Sequence, residues 1–427
     1  MATKRFPASL GIAVTTLLLV GALATLTNAG IGARAGASKK KASQEKAAQW
    51  TGTWAASPQR PRPSQPGFAD VTLRLIIHTT IGGNAVRIRL ANTFGTAPLH
   101  IGAATVGVEA NGAAIQPGTL RPLAFNGGGR GVVIAPGAEV TSDAESERVP
   151  ADANLAISLY LPSDTGPPTE HGNSGTAHQI SYVSTRGDHA NEPAASAYPE
   201  ATATWFFLDG VDVDAPGTEA VVALGDSITD GTHSTTDTDH RYPDWLARRL
   251  RAAGGAYARL SVLNAGIGGN ELLRTSACCG ASPSGLARLD RDVLDQPGAR
   301  DVIVLLGAND ILGAHHATAT AIIAGLRQLT ARVHAAGLKV FGGTITPSSW
   351  YTPPEERTRE AVNRWILTSG AFDGVFGFAA AVADPSDPAR LNPAYASGDH
   401  LHLNDAGYHA MADAVDLTEL LGEDETG

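Results

Sequence analysis

Near Asp214-Ala-Pro-Gly217 the spacing of apolar residues changes, and this change constrains the fold on either side of it. Before it, from about residue 50 to residue 213, the period is two. Val86, Ile88 and Leu90 alternate with Arg87 and Arg89, and Leu155, Ile157, Leu159 and Leu161 alternate with Ala156, Ser158 and Tyr160. Such alternation marks strands with one buried face. Further strands are expected at 71–79, 100–108, 131–134, 179–183 and 204–208, separated by Gly, Pro, Asn and Asp turns and without a long helix. The expectation is an antiparallel β-sandwich or jelly-roll-like domain.

After the change, short apolar runs at 220–224, 260–263, 302–306 and 339–345 alternate with helical patterns at 243–253, 284–294, 318–336, 354–368 and 404–421. Val302-Ile-Val-Leu-Leu306 is apolar throughout, as a strand is when helices cover both of its faces. A β-α-β-α series of this kind predicts a parallel sheet in a three-layer α/β/α domain, with ligands bound outside the carboxyl ends of the strands.

The 427 residues divide into a leader at 1–35, a linker at 36–49, the β-rich domain at 50–215 and the α/β domain at 216–427. Lys4 and Arg5 precede an uncharged run from Leu10 to Leu26 and small-residue sites ending at Ala29 or Ala35, the pattern of a cleaved export signal. A retained anchor is the competing reading, because the run approaches the roughly 18–20 residues that span a bilayer. Cleavage predicts a secreted or periplasmic protein with no stable membrane anchor. The formal charge is −10, and losing Lys4, Arg5 and Arg34 with the leader makes it about −13. Nucleic acid is excluded as a partner, since binding to phosphates needs a basic face. Cys278 and Cys279 are the only cysteines. Being adjacent, they cannot close a long loop, and they form either a strained vicinal disulfide or two small apolar side chains.

Four polar blocks carry the chemistry: Gly225-Asp226-Ser227-Ile228, Asn264-Ala-Gly-Ile-Gly-Gly269-Asn270, Gly307-Ala-Asn309-Asp310 and Asp399-His-Leu-His402. The first three follow the first three predicted parallel strands, so they fall on one edge of the sheet. A serine hydroxyl is a poor nucleophile until a base takes its proton. His402 is the candidate base for Ser227, and Asp399, three residues earlier, is the acid that holds its tautomer. His400 is the alternative base but lacks an acid at that spacing. Negative charge on an attacked carbonyl oxygen needs fixed donors. The backbone N–H of Ser227, the backbone N–H of Gly269 and the side-chain amide of Asn309 suit that role, with Gly268 the rival to Gly269.

These four blocks resemble those of the SGNH, or GDSL-type, hydrolase superfamily over the second half of the chain, from about Ala220 onward. The resemblance implies Ser227 as nucleophile and oxyanion donor, Gly269 and Asn309 as the other donors, Asp399 and His402 as the rest of the triad, and a small parallel sheet as the fold. Ile228 departs from the leucine of the family name. With Trp50-Thr-Gly-Thr-Trp54 and a β-rich front domain, the whole chain also resembles a secreted subgroup that includes esterases associated with polysaccharide breakdown.

The Gly266-Ile-Gly-Gly269 run lacks the spacing of a dinucleotide loop. His233, Asp237, Asp239 and His240 match no metal-ligand spacing and read as a solvated loop at the edge of the site. His315 and His316 read as surface or pocket-rim residues, and His171, Trp350 and Tyr351 as candidate substrate contacts. The chain is therefore expected to be a secreted serine esterase or acylhydrolase, with no metal or organic cofactor required. Its expected substrates are esters, in particular short acyl (acetyl) groups on a polysaccharide. A lipase or lysophospholipase-type acylhydrolase is the first alternative, and a carbohydrate-binding or surface module with a dormant hydrolase half is the second. Activity is expected to fall as His402 is protonated, near roughly pH 6.5 and moved upward by Asp399.

Overall fold

A computed structural model describes residues 48–62, 65–172, 177–276 and 282–421. The expected leader, most of the linker and Cys278-Cys279 lie outside them. In the first half, the alternating segments form two antiparallel sheets. One runs in the order Trp50–Ala55, Leu208–Asp214, Val86–Ala91, Glu139–Thr141. The other runs Glu200–Thr202, Ser181–Arg186, Val71–His78, Asn154–Leu161, Ala103–Asn111, Ala114–Ile115, with Arg121–Leu123 also paired to Ala103–Asn111. Leu73, Leu75 and Ile77 of the second sheet share one buried cluster with Ile88, Leu90, Val211 and Val213 of the first. The intervening Arg87 turns away from that cluster to Asp212 Oδ2, 2.9 Å distant.

The second half contains a five-stranded parallel sheet. Its strands are β1 (Glu219–Gly225), β2 (Leu260–Gly266), β3 (Ala299–Leu305), β4 (Lys339–Gly343) and β5 (Gly374–Phe376), in the order β2-β1-β3-β4-β5. Its helices are α1 (Ser227–Asp230), α2 (Tyr242–Ala253), α3 (Gly285–Leu289), α4 (Ala308–Leu312), α5 (Ala319–Ala335), α6 (Pro353–Thr368), α7 (Phe378–Val382), α8 (Asp405–Asp413) and α9 (Leu417–Leu421). Successive strand residues enter opposite layers. Val222, Leu224, Val302 and Val304 pack with Ile322, Leu326 and Leu329 of α5 and Val362 of α6. Val221, Ala223, Ile303 and Leu305 pack with Leu246 and Leu250 of α2 and Met411 of α8. Both faces are covered, which is why these strands read as unbroken apolar runs.

Several elements differ from expectation. The segment expected as one strand at 100–108 changes partner at Gly102: Leu99–Ile101 pairs with Val132–Ile134, and Ala103–Asn111 with Asn154–Leu161. The helical pattern at 404–421 is two helices, because the Asp416 carboxylate accepts from the Thr418 N–H (2.9 Å) and restarts the chain as α9. The 284–294 segment is α3 followed by a wider π turn at Asp290–Leu294. β5 has only three residues, too short to show a period. Among the described residues no helix is long and apolar enough to cross a membrane.

Residues Ala48–Gly427 form one compact unit, so the two halves pack directly on one another. Gly52 N–H donates to Pro297 O (2.9 Å), Arg89 Nη2 to Gln296 Oε1 (2.6 Å) and Arg288 Nη1 to Ser57 Oγ (3.0 Å).

Candidate active site

The register of the parallel sheet sets the site. Gly225 at the end of β1 lies opposite Gly266 of β2 and Leu305 of β3, so the segments carrying Ser227, Gly269 and Asn309 leave one edge side by side. Asp226 is extended, and its carboxylate caps α1 by accepting from the Ile228 N–H at 3.0 Å. Buried Ile228 anchors the turn in the core, leaving Ser227 as the first residue of α1, with its N–H outside the helical ladder. Glycine is needed at both strand ends. A Cβ at Gly225 would collide with the Thr229 side chain, and one at Gly266 with the Asp230 backbone. Burial pushes the Asp226 carboxyl up to about 7.

His402 Nε2 lies 2.8 Å from Ser227 Oγ, and His402 Nδ1 lies 2.6 Å from Asp399 Oδ2. The other carboxylate oxygen, Oδ1, accepts from the N–H groups of Leu401 and His402 at 2.9 Å each and from Ser397 Oγ at 2.7 Å. Burial alone would raise the Asp399 carboxyl, but these hydrogen bonds outweigh it and hold the group well below the usual carboxylate range. His402 differs from expectation. Burial, the largest influence, depresses the imidazole below its ordinary value in spite of the upward pull of Asp399. The contacts to Ser227 and Asp399 are made by His402 and not by His400, whose backbone carbonyl accepts from Ser348 Oγ at 3.0 Å.

Gly269 has φ +68°, a conformation that favours glycine, and its N–H has no acceptor among the described residues. Asn309, on the first turn of α4, donates one amide hydrogen to Asn270 O (3.1 Å), which leaves the second for another acceptor. The Asp310 carboxylate accepts from Leu272 N–H (2.7 Å) and Leu273 N–H (3.0 Å), tying the Gly269 loop to α4.

Beneath this edge Arg288, 1% exposed, joins four segments. Its Nε donates to Asn270 Oδ1 (3.1 Å), its Nη1 to Ser57 Oγ (3.0 Å), Ala265 O (2.8 Å) and Asp292 Oδ2 (3.0 Å), and its Nη2 to Gly225 O (2.9 Å). In the sequence, Arg288 and Asp292 look like any solvated i,i+4 pair, so this role carried no signal.

The three proposed substrate contacts fall in different places. His171 is 4% exposed, stacks on Trp205 and engages Ser57 O (2.8 Å) and Asp230 Oδ1 (3.1 Å). It is built into the junction of the two halves, and no face of it is open to a substrate. Tyr351 packs against the α5/α6 layer with its hydroxyl buried. Trp350 is 54% exposed, and its Nε1 donates to Asp399 O at 2.8 Å, which fixes an open aromatic face beside the acid.

The loop after Ser227 is not simply solvated. Asp239 is 7% exposed and paired with Arg241 (3.1 Å) and His78 (3.2 Å). Asp237 accepts from Gln179 Nε2 and Ile180 N–H (2.9 and 2.6 Å), and His240 pairs with Asp405 at 2.8 Å. His233 Nε2 lies 3.2 Å from Asp399 Oδ2. His316 is an exposed partner of Glu355 at 3.0 Å. One group among the described residues, His233, Asp399 and His402, brings potential metal donors within 4.8 Å of one another. The 2.6 Å separation of His402 Nδ1 from Asp399 Oδ2 is a hydrogen bond, too close for two donors sharing an ion between them.

A serine, an imidazole and a carboxylate in this order can relay a proton away from an attacking hydroxyl, which is the chemistry of acyl transfer. Residues 223–410 match the model of the GDSL-like lipase/acylhydrolase family. Solved structures similar to the chain include a lipase/acylhydrolase from Enterococcus faecalis (20% identity, 48% of this chain and 95% of that one, TM-score 0.38). A carbohydrate acetylesterase from Sinorhizobium meliloti is 15% identical over 46% of this chain and 96% of that one, with TM-score 0.37. An aryl esterase from M. smegmatis is 17% identical over 46% and 96%, also with TM-score 0.37. No match was found among curated proteins. From residue 223 to residue 410, then, this chain carries a GDSL-like lipase/acylhydrolase domain.

Proposed function

We propose that the protein is an exported serine esterase that removes short acyl groups, acetyl in particular, from carbohydrate through an acyl-enzyme. The reading rests above all on the 2.8 Å contact between His402 Nε2 and Ser227 Oγ, with Asp399 2.6 Å behind the imidazole. Ser227 Oγ attacks the ester carbonyl as its proton passes to His402. The oxyanion is met by the N–H groups of Ser227 and Gly269 and the amide of Asn309. The tetrahedral adduct collapses, and His402 gives its proton to the departing alcohol. Water then yields a proton to His402 and attacks the acyl carbon, and Ser227 leaves with that proton, freeing the acid.

The substrate class is supported by Trp350, whose open face stands beside the Asp399 loop and suits the apolar face of a sugar ring. The resemblance to secreted, polysaccharide-associated esterases points the same way, and Lys4-Arg5 with the apolar run after them supports export. Acetate release from acetylated xylan, set beside a p-nitrophenyl ester series from acetyl to palmitoyl, tests the reading. Fastest turnover of acetyl esters, lost in Ser227→Ala, supports it. Faster turnover of long-chain esters removes the carbohydrate assignment in favour of a lipase.

A further inference from the structure

Asp399 serves two histidines. Its Oδ1 is saturated by the hairpin that carries it, taking two backbone N–H groups and the Ser397 hydroxyl. Its Oδ2 faces His402 Nδ1 at 2.6 Å and His233 Nε2 at 3.2 Å. His233 belongs to the loop after the nucleophile turn, and its ring centre is 5.5 Å from that of His402. Its side chain is half exposed, so packing does not account for its placement. Its backbone nevertheless sits at φ +69°, a region costly for a residue with a Cβ.

On the acyl-transfer reading given above, we propose that His233 is a positioning residue that shares the Asp399 carboxylate with His402. A carboxylate oxygen accepts two donors, and with His233 Nε2 3.2 Å from Oδ2 a small turn of the ring brings an N–H onto the carboxylate and fixes its rotation without displacing the imidazole. Asp399 then stays in the plane that His402 needs as it becomes cationic during attack. A second effect follows from charge. The His233 ring, centred 5.5 Å from that of His402, adds to the downward pull on that base. The other groups around this pair are His178, from the first half, Asp230 of α1, and Arg241, which is itself paired with Asp239 and Asp244. Asp230 favours the cation on both His178 and His402, so His233 and Asp230 pull the base in opposite directions.

The test compares His233→Ala with His233→Gln, which restores a donor near the Nε2 position but carries no charge. The kcat and KM for p-nitrophenyl acetate are followed from acid to neutral pH, with Ser227→Ala alongside. His233→Ala lowers kcat about 2–12-fold with little change in KM, the loss expected for one ordinary, partly exposed hydrogen bond. His233→Gln recovers most of that loss, and in both variants the acid limb lies at higher pH than in the wild type. An acid limb unmoved in both variants, or a loss confined to KM, overturns the proposal. Hydrolysis that survives in Ser227→Ala instead refutes the acyl-enzyme reading, whatever His233 does.

Discussion

Replacing Arg288 tests whether the site depends on a buried hub that joins the two halves. Arg288→Met keeps most of the side-chain volume but removes five hydrogen bonds. Asp292 retains its second partner, Arg291, at 3.0 Å, so no isolated charge is left behind. Asn270 Oδ1 and Ser57 Oγ are stranded in a dry environment, at about 1–3 kcal/mol each. The methionine returns part of this as apolar contact, and a net loss of about 3–5 kcal/mol follows from the stranded polar groups. Unfolding entropy of about 2.1 cal/mol/K per residue gives a unit of roughly 370 residues about 0.8 kcal/mol/K, so Tm falls about 4–6 °C. Activity falls as well, because Asn270 O accepts from Asn309 and shifts when its own side chain loses Arg288. Calorimetry together with ester hydrolysis checks both effects. A Tm within about 1 °C of wild type with kcat intact refutes the hub.

Two pH effects follow from the burial of ionisable groups. Asp226, pushed up to about 7, prefers its neutral form in the fold, so its contribution to stability is lost as pH rises from the ordinary aspartate value toward 7. Asp226→Asn keeps an acceptor for the Ile228 N–H, so it gains on wild type across that window by at most about 4 kcal/mol. Melting curves at pH 4.5 and 8 that shift by equal amounts contradict this. The second effect concerns His402, which must be neutral to accept the Ser227 proton. Burial depresses it, so the acid limb of kcat/KM lies below the roughly 6.5 of an exposed histidine. A limb above that value in the wild type shows that Asp399 outweighs burial after all.

The period change near residue 214 was legible because burial geometry writes itself into spacing. Strands covered on one face alternate, as at Val86–Ala91, and strands covered on both do not, as at Ala299–Leu305. The residues that meet at the site were also legible, since strand ends in register bring Ser227, Gly269 and Asn309 to one edge. What could not be read depends on long-range packing. His171 looked like a loop residue open to substrate, but its ring is consumed by Ser57 and Asp230 from distant segments. The direction in which His402 shifts needed the depth of its burial, which a three-residue spacing to Asp399 does not contain. Asp239 read as solvated because one of its partners, His78, lies in the other half of the chain.

The central claim is that Ser227 is the hydroxyl made nucleophilic by His402. Covalent labelling with a fluorophosphonate, followed by peptide mass spectrometry, tests it most directly. The account predicts one adduct, on Ser227, formed as fast as hydrolysis is lost and absent from His402→Ala on the same timescale. An adduct on another residue with hydrolysis abolished, or full labelling of Ser227 with hydrolysis intact, contradicts it.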